Sequence, residues 1–278
     1  MTAPAASGPR DPAPLVFITG ASSGIGQALA AHYARQGWRL ALVARREGVL
    51  RDWAREQGLD EARCRAYAAD VAEPDSIVAA AHACIDAQGV PDVVVANAGI
   101  SVGMDTADRA DLEVMRDTLQ LNVLGMAATF HPFLVRMRDR GSGALVGIAS
   151  MAALRGLPGH GAYCASKAAV VAYCESLRVE CRGSGVRVVT ILPGYVATPL
   201  TAHNPYSMPF LIDAGTFAAR AARAIAAGAP RRVIPWQMAI VDPLLRNLPI
   251  VVYDRLFKGR KRKPRRGASP RGPADGAG

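Results

Sequence analysis

The stretch LVFITGASSGIGQALA, residues 15–30, decides the fold of this chain. LVFIT predicts a buried strand, and an apolar helical pattern begins after three glycines, Gly20, Gly24 and Gly26. Glycines in such a turn expose backbone N–H groups at the start of a helix, where they can bind a phosphate group. The spacing G-x-x-x-G-x-G differs from the general dinucleotide-binding pattern, so a tight turn without a ligand stays open as the alternative.

The alternation of apolar runs and helical patterns continues to about Ile234. Strands are predicted at 15–19, 40–44, 63–68, 92–97, 144–149, 186–192 and 231–235, and helices at 27–36, 47–57, 74–87, 111–137, 162–182 and 216–227. Because the strands are apolar on both faces, they predict a parallel sheet with helices on both sides. Right-handed crossovers make this a single-domain α/β fold with a Rossmann-type doubly wound sheet, which binds ligands beyond the carboxyl ends of its strands.

Both ends of the chain differ in composition from the middle. An apolar extension at residues 236–257 follows the α/β pattern. It contains Asp242-Pro243 and Asn247-Leu248-Pro249, which predict the starts of two short helices. The tail that follows carries eight basic side chains and one acidic side chain, so most of the net charge of +10 belongs to it. The predicted organisation is a disordered leader at 1–13, the α/β domain at 14–235, the apolar extension at 236–257 and a basic disordered tail at 258–278.

The extension and tail leave several environments open. The extension could dock across the ligand cleft, form a dimer contact or lie in a membrane interface. A short apolar segment beside a basic run fits an anionic membrane surface, and a solvated tail is the alternative. The tail could also attract nucleic acid, but it lacks the aromatic interleaving that specific nucleic-acid recognition uses, so we expect no specific nucleic-acid partner.

Composition points to a cytoplasmic protein. No stretch of about 18 residues is free of charge and proline, and the first residues lack the apolar run of a signal peptide. The five cysteines are odd in number and form no CxxC pair, so we expect buried thiols rather than disulfides or a zinc site. The basic tail adds the expectation of a peripheral location at the inner face of the membrane.

Two arginines follow the second predicted strand. Arg45 lies about 20 residues beyond the glycines, where a dinucleotide-binding fold faces the adenosine ribose. Because a guanidinium group pairs well with a phosphate, Arg45 and Arg46 favour NADP(H) over NAD(H). The alternative to a cofactor contact is that both arginines are solvated side chains at the start of a helix.

Tyr163 and Lys167, in the segment YCASK, fall on one face of a predicted helix. A neighbouring ammonium group is expected to lower the pKa of a phenol and suit it to acid/base chemistry. Ser150 ends the fifth strand, where its hydroxyl can reach the same crevice. Asn122 lies in an otherwise apolar helical pattern, which indicates either a hydrogen-bonded structural amide or part of a proton relay.

Over residues 14–235 the chain resembles the short-chain dehydrogenase/reductase family. The matching motifs, in order, are TGASSGIG at 19–26, Asp70-Val71, Asn97-Ala98-Gly99, Asn122, Ser150, Tyr163 with Lys167, and Pro193-Gly194 followed by Thr198. The resemblance implies an NADP(H)-dependent oxidoreductase that interconverts a carbonyl and an alcohol, with no metal. It also implies a homodimer or homotetramer.

The resemblance further implies the roles of site residues. The glycine loop would bind the pyrophosphate, the two arginines the 2′-phosphate, Asp70 and Val71 the adenine, and the segment from Pro193 to Thr198 the carboxamide. Implied cofactor contacts are Gly20, Ser22, Ser23, Gly24, Ile25, Gly26, Arg45, Arg46, Asp70, Val71, Asn97, Ala98, Gly99, Tyr163, Lys167, Pro193, Gly194, Val196 and Thr198.

The implied catalytic residues are Asn122, Ser150, Tyr163 and Lys167. Tyr163 would exchange a proton with the substrate oxygen, Ser150 would hydrogen-bond that oxygen, and Lys167 would hold the nicotinamide ribose. Asn122 would hold a water linked to Lys167. A catalytically silent nucleotide-binding regulatory protein is the alternative class, whereas a serine hydrolase is disfavoured because Ser150 lies in GIASMA rather than G-x-S-x-G.

The loop 197–215 is predicted to cap the substrate. Its large apolar side chains indicate an apolar or lipid-like substrate, and a lid that merely packs on the protein is the alternative. These side chains are Leu200, Tyr206, Met208, Phe210 and Leu211. His160 lies near Tyr163 in sequence and could also touch the substrate.

Overall fold

The computed structural model describes residues 13–202, 204–260 and 262–265, apart from the side chain of Asp242. The predicted leader, except for its last residue, and the end of the predicted tail lie outside these residues.

Seven parallel strands form the main sheet: β1 (Leu15–Thr19), β2 (Arg39–Ala44), β3 (Cys64–Ala68), β4 (Val93–Ala96), β5 (Gly143–Ile148), β6 (Val186–Pro193) and β9 (Arg231–Ile234). Their order across the sheet is β3-β2-β1-β4-β5-β6-β9. A second, two-stranded sheet pairs β7 (Val196–Ala197) with β8 (Ile212–Asp213). The chain passes outward from β1 to β3 and then returns to β4 on the other side of β1, which opens a crevice between the carboxyl ends of β1 and β4.

Helices cover both faces of the sheet. They are α1 (Gly24–Arg35), α2 (Glu47–Glu56), α3 (Pro74–Gln88), α4 (Asp111–Leu119), α5 (Gly125–Arg140), α6 (Gly161–Glu180), α7 (Ala214–Ala226), α8 (Gln237–Asn247) and α9 (Ile250–Phe257). A π-helical segment, Gln120–Leu124, joins α4 to α5, and a 3-10 turn, Met151–Ala153, follows β5.

Strand β1 shows why both faces must be covered. Leu15 and Phe17 pack into one core layer, which includes α3, α5 and α6, while Val16 and Ile18 pack into the other, which includes α1, α2 and α7. All four side chains are fully buried. Removing a large apolar side chain from water in this way stabilises a fold by about 2 kcal/mol. The predicted single-domain doubly wound α/β fold is confirmed, and all five cysteines are buried free thiols, as expected.

Two predicted helices differ from the structure. The stretch 111–137 is interrupted by the π-helical segment, which carries the buried Asn122. The predicted helix start at Asp242-Pro243 is wrong, because α8 begins at Gln237 and contains Pro243. Met238 packs into the core at the first turn of α8, so a tertiary contact sets the start of this helix. The second helix, α9, begins directly after Pro249 as predicted.

The beginning of the tail also differs from the predicted disorder. The backbone N–H of Gly103 donates to the carbonyl of Pro264 at 3.1 Å, and Arg265 pairs with Asp111 at 2.6 Å and with Asp108. An acidic cluster before and at the start of α4 therefore attracts this part of the basic tail. In the described part of the chain, no helix is both long and apolar enough to cross a bilayer.

Candidate active site

The glycine loop folds tightly against the end of β4. Gly20 adopts a φ of +66°, and a Cβ on Gly26 would lie 2.3 Å from the carbonyl oxygen of Gly20. The side-chain amide of Asn97 donates to the carbonyls of Thr19 and Gly20 at 3.0 and 3.3 Å, which holds the loop to the sheet. Helix α1 starts here with no side-chain cap and no acidic residue in its first turn, so its N–H groups suit a phosphate.

Replacing Gly26 by Ala is expected to displace the loop, because the new methyl group would overlap backbone rather than a flexible side chain. We expect a loss of about 1–3 kcal/mol in the free energy of unfolding, measured by urea denaturation, together with weaker NADPH binding. Gly48→Ala is the matched control, since a Cβ there meets nothing within 4 Å, and it should be neutral or stabilising. Equal stability of the two variants would contradict the close approach.

The loop borders a cleft of about 500 Å³ at the crevice between β1 and β4. Of the predicted cofactor contacts, the cleft is lined by Gly20, Ser22, Ser23, Gly24, Ile25, Arg45, Asp70, Val71, Asn97, Ala98, Gly99, Tyr163, Lys167, Pro193, Gly194, Val196 and Thr198. Gly26 lies behind this lining, where it permits the tight loop. The glycine loop, the uncapped N-terminus of α1 and the volume of the cleft fit a dinucleotide.

Several lining residues were missed from the sequence. Ala69 and Ala149 lie at the ends of strands, so the same positional rule could have found them. Leu121 of the π-helical segment also lines the cleft, and no local sequence pattern predicts this position.

The two predicted phosphate-binding arginines are placed differently. Both side chains are exposed; Arg45 follows β2 and lines the cleft, whereas Arg46 lies at the N-cap of α2, outside the lining. Arg45 therefore borders the cleft directly, and the binding of a 2′-phosphate by either arginine stays a prediction.

Ser150 and Tyr163 meet at the inner end of the cleft. Burial raises the pKa of Tyr163, and a hydrogen bond from the Ser150 side chain opposes that rise. Lys167 lies 5.8 Å from the centre of the tyrosine ring, and its Nζ donates to the carbonyl of Ile148 at 2.8 Å. The expected lowering of the Tyr163 pKa by Lys167 is not found, because burial is the largest influence on this pKa and raises it.

Lys167 should make the stability of the protein depend on pH. Burial lowers its pKa from 10.5 to about 8, so between these values the unfolded chain binds the proton and the folded protein releases it. Its contribution to the free energy of unfolding therefore rises with pH, by about 3 kcal/mol at most. We expect the stability of the wild type relative to Lys167→Met, measured by urea denaturation without cofactor, to increase from pH 8 to 10.5. A constant difference would contradict this, and exposed Lys258→Met is the control.

Asn122 is fully hydrogen-bonded in the structure, and its part in a proton relay stays a prediction. Its Oδ1 accepts from the N–H of Ile100 at 2.8 Å, and its Nδ2 donates to the carbonyl of Ile100 and to Ser166 Oγ at 3.0 and 2.9 Å. The side chain is fully buried and does not line the cleft. It ties the loop after β4 to α6, the helix that carries Tyr163 and Lys167.

A second cavity of about 580 Å³ shares Ser150 and Tyr163 with the cleft. Leu200 and Tyr206 of the predicted lid line this cavity and Phe210 and Leu211 do not, although Leu200 is exposed to a similar extent as Phe210 and Leu211. Met208 is not part of the lining either. His160 also lines the cavity, and its Nε2 lies 3.2 Å from the hydroxyl of Tyr206; its contact with the substrate stays a prediction.

The C-terminal extension closes the second cavity from the outside. Met238, Leu245 and Tyr253 line it, and Arg155 holds the extension in place. The Arg155 guanidinium donates to the carbonyls of Leu245 and Leu248 at 2.9 and 3.0 Å and stacks over the Tyr253 ring at 4.1 Å. Of the environments left open by the sequence, the extension therefore takes the one across the cleft.

The fold and site define a dinucleotide-binding enzyme, and comparison with known proteins gives its family. Residues 14–207 match the family described as short chain dehydrogenase. An uncharacterized oxidoreductase of Myxococcus xanthus is 40% identical over 241 residues, which are 86% of this chain and 94% of that protein. The chain therefore belongs to the short-chain dehydrogenase/reductase family and is an oxidoreductase of that family.

Solved structures agree with this assignment. A short-chain dehydrogenase from Streptomyces avermitilis superimposes with a TM-score of 0.73 at 25% identity, over 88% of this chain and 98% of that one. L-sorbose reductase from Gluconobacter frateurii, complexed with NADPH and L-sorbose, superimposes with a TM-score of 0.70 at 26% identity, over 80% of this chain and 95% of that one. The family uses NAD(H) or NADP(H) and interconverts carbonyls and alcohols on small molecules.

Proposed function

We propose that the protein is an NADP(H)-dependent oxidoreductase in which Tyr163 is the acid/base. The observation that carries this is the position of Ser150 and Tyr163, which lie in the walls of both the cleft and the second cavity. A substrate oxygen in the second cavity can therefore reach both hydroxyl groups while the cleft holds the dinucleotide. When bound, NADPH supplies the hydride.

In the reduction direction, Ser150 and Tyr163 would both donate hydrogen bonds to the substrate carbonyl oxygen. Negative charge develops on that oxygen, and two preorganised donors stabilise it in a site shielded from water. The Tyr163 hydroxyl then transfers its proton to the oxygen, which gives the alcohol. Lys167 would bind the nicotinamide ribose, and its charge near the phenolate would favour that proton transfer.

Arg45 supports NADP(H) as the cofactor. It lines the cleft at the end of β2, where the fold faces the adenosine ribose, and no acidic residue takes that position. A guanidinium group there can bind the 2′-phosphate through paired hydrogen bonds.

The proposed activity is tested by adding a panel of apolar ketones and aldehydes to the protein with NADPH and following the absorbance of the cofactor. We expect consumption of NADPH with at least one carbonyl compound, and a fluorescence change on NADPH binding alone. NADPH binding without turnover across the panel would favour the regulatory alternative.

We also propose that the outer face of the extension contacts an anionic membrane, at the cytoplasmic surface. This outer face consists of Trp236, Ile240, Leu244, Ile250, Val251 and Leu256, which are all exposed. Residues 236, 240 and 244 share one side of α8, opposite Met238, which packs inward. The exposed basic residues Arg255 and Lys258 lie beside this apolar face, an arrangement that suits anionic lipid.

Vesicle flotation tests the membrane contact. We expect the protein to float with phosphatidylglycerol-containing vesicles, and Leu244→Asp with Ile250→Asp to reduce the bound fraction by about tenfold or more. Val49→Asp, on an exposed position of α2, is the control and should float like the wild type. Equal flotation of the double variant would reject the proposed face.

We further propose a homodimer or homotetramer. Leu112 of α4, Leu124 of the π-helical segment and Val135 of α5 are large, apolar and exposed. Such side chains suit an interface between copies. Sedimentation velocity would show a monomer if this proposal is wrong.

A further inference from the structure

The second cavity contains positive charge without an acidic counterpart. Its charged lining side chains are Arg155, Arg260 and Lys263, and no described Asp or Glu lines it. Burial lowers the pKa of His160, the remaining basic group, so this ring favours its neutral form. Arg155 is occupied by the carbonyls of the extension and the Tyr253 ring. The positive charge that could meet a ligand therefore comes from Arg260 and Lys263.

Among the described residues, the hydrogen-bond partners that hold Lys263 at the cavity are neutral groups. Its ammonium donates to Ser101 Oγ at 3.0 Å and to the carbonyl of Leu200 at 3.3 Å. The side chain is half-buried, and burial lowers its pKa. A partly buried cation is stabilised by a nearby negative charge. Neither the Ser101 hydroxyl nor the Leu200 carbonyl carries such a charge.

Arg260 likewise lacks a carboxylate. Its guanidinium stacks over the Phe257 ring at 4.3 Å, and no described carboxylate lies within ion-pair distance of it. Stacking of this kind leaves the edge of the guanidinium group free to donate hydrogen bonds.

The neighbouring arginines, Arg262 and Arg265, differ from Arg260 and Lys263 because they form ion pairs with carboxylates. Arg262 pairs with Asp105 at 3.5 Å, and Arg265 pairs with Asp108 and Asp111. These ion pairs, with the Gly103–Pro264 backbone hydrogen bond, anchor the segment on either side of Lys263. The position of Lys263 at the cavity is therefore set by the fold around it.

Apolar side chains, among them Met151, Leu157, Val241 and Leu245, form much of the remaining wall, and the uncharged polar side chains include Ser101, Ser150, Thr201, Asn204 and Ser207. A cavity of about 580 Å³ is large enough for a medium-length alkyl chain. We propose that the second cavity binds an apolar carbonyl compound that carries a carboxylate or phosphate group, and that this group pairs with Lys263 and Arg260. The proposal rests on the proposed function of the same site and adds the charge of the substrate to it.

Calorimetry on the cofactor-free protein tests this without requiring turnover. The probes are octanoate, octyl phosphate and octanol, which share a chain and differ in the head group. We expect at least one anion to bind about tenfold more tightly than octanol, in line with one charge-assisted hydrogen bond. Lys263→Met should remove that preference, Arg260→Gln should reduce it, and Lys258→Met, which is exposed and outside the lining, should leave it unchanged.

The three probes also separate the outcomes. Tighter binding of octanoate assigns a carboxylate, and tighter binding of octyl phosphate assigns a phosphate. Equal binding of both anions and octanol overturns the proposal, as does an anion preference that survives in the Lys263→Met, Arg260→Gln double variant. Because binding is measured directly, a protein that binds the anion but reduces no carbonyl would refute the proposed activity and leave the anion site standing.

Discussion

Replacing Tyr163 by Phe is expected to reduce NADPH-dependent turnover by about a hundredfold or more while the affinity for NADPH stays within a few-fold of the wild type. Phe keeps the aromatic ring at this position of α6 but removes the hydroxyl, which is the proposed proton donor and interacts with the Ser150 side chain. The reaction would lose its positioned acid without losing the cleft. Steady-state kinetics and NADPH fluorescence titration measure the two effects separately.

Tyr206→Phe is the matched control for this variant. Tyr206 lines the same cavity, but its hydroxyl lies beside His160. We expect its turnover to stay within about tenfold of the wild type, because it removes one neutral hydrogen bond away from the reacting oxygen. Near-normal turnover of Tyr163→Phe would remove Tyr163 from the mechanism.

Replacing Arg45 by Asp is expected to weaken NADP⁺ binding by about tenfold to a hundredfold and to leave NAD⁺ binding equal or stronger. The substitution puts a carboxylate where the 2′-phosphate would lie, and a carboxylate can accept a hydrogen bond from the free 2′-hydroxyl of NAD⁺. The ratio of the two dissociation constants is the measurement that matters, since a damaged cleft would weaken both.

Arg46→Asp controls for the charge change itself. Arg46 is adjacent in sequence but outside the cleft lining, so the same change of two charges should alter the NADP⁺/NAD⁺ ratio much less. If the two variants change the ratio equally, long-range electrostatics rather than contact with Arg45 explains the preference. An unchanged ratio in Arg45→Asp would refute NADP(H) selection by this residue.

Patterns that are local in sequence predicted much of this protein. Strand β1 was predicted because Leu15 to Ile18 are apolar at consecutive positions, a pattern that is typical of a short strand buried on both faces. The pairing of Tyr163 with Lys167 follows in the same way from helical periodicity. The residues at the ends of the strands were found because a parallel sheet brings those ends to one edge.

Other features depend on contacts between distant parts of the chain. Arg155 lies 90 residues before Leu245, yet its hydrogen bonds to the extension close the second cavity. Lys263 lies 162 residues after Ser101, and nothing in the composition of the basic tail distinguishes it from Arg262 or Arg265. Its place at the cavity follows from the acidic cluster that binds its neighbours.

By itself, the sequence determined the doubly wound sheet, the glycine loop and the set of chemical groups at the site, because periodicity and spacing act over short distances along the chain. The tertiary structure alone decided that Arg45 lines the cleft and that side chains of the extension line the second cavity. It also decided that burial is the largest influence on the pKa of Tyr163. These outcomes depend on which surfaces pack together and on how much water they exclude, and a local pattern contains neither.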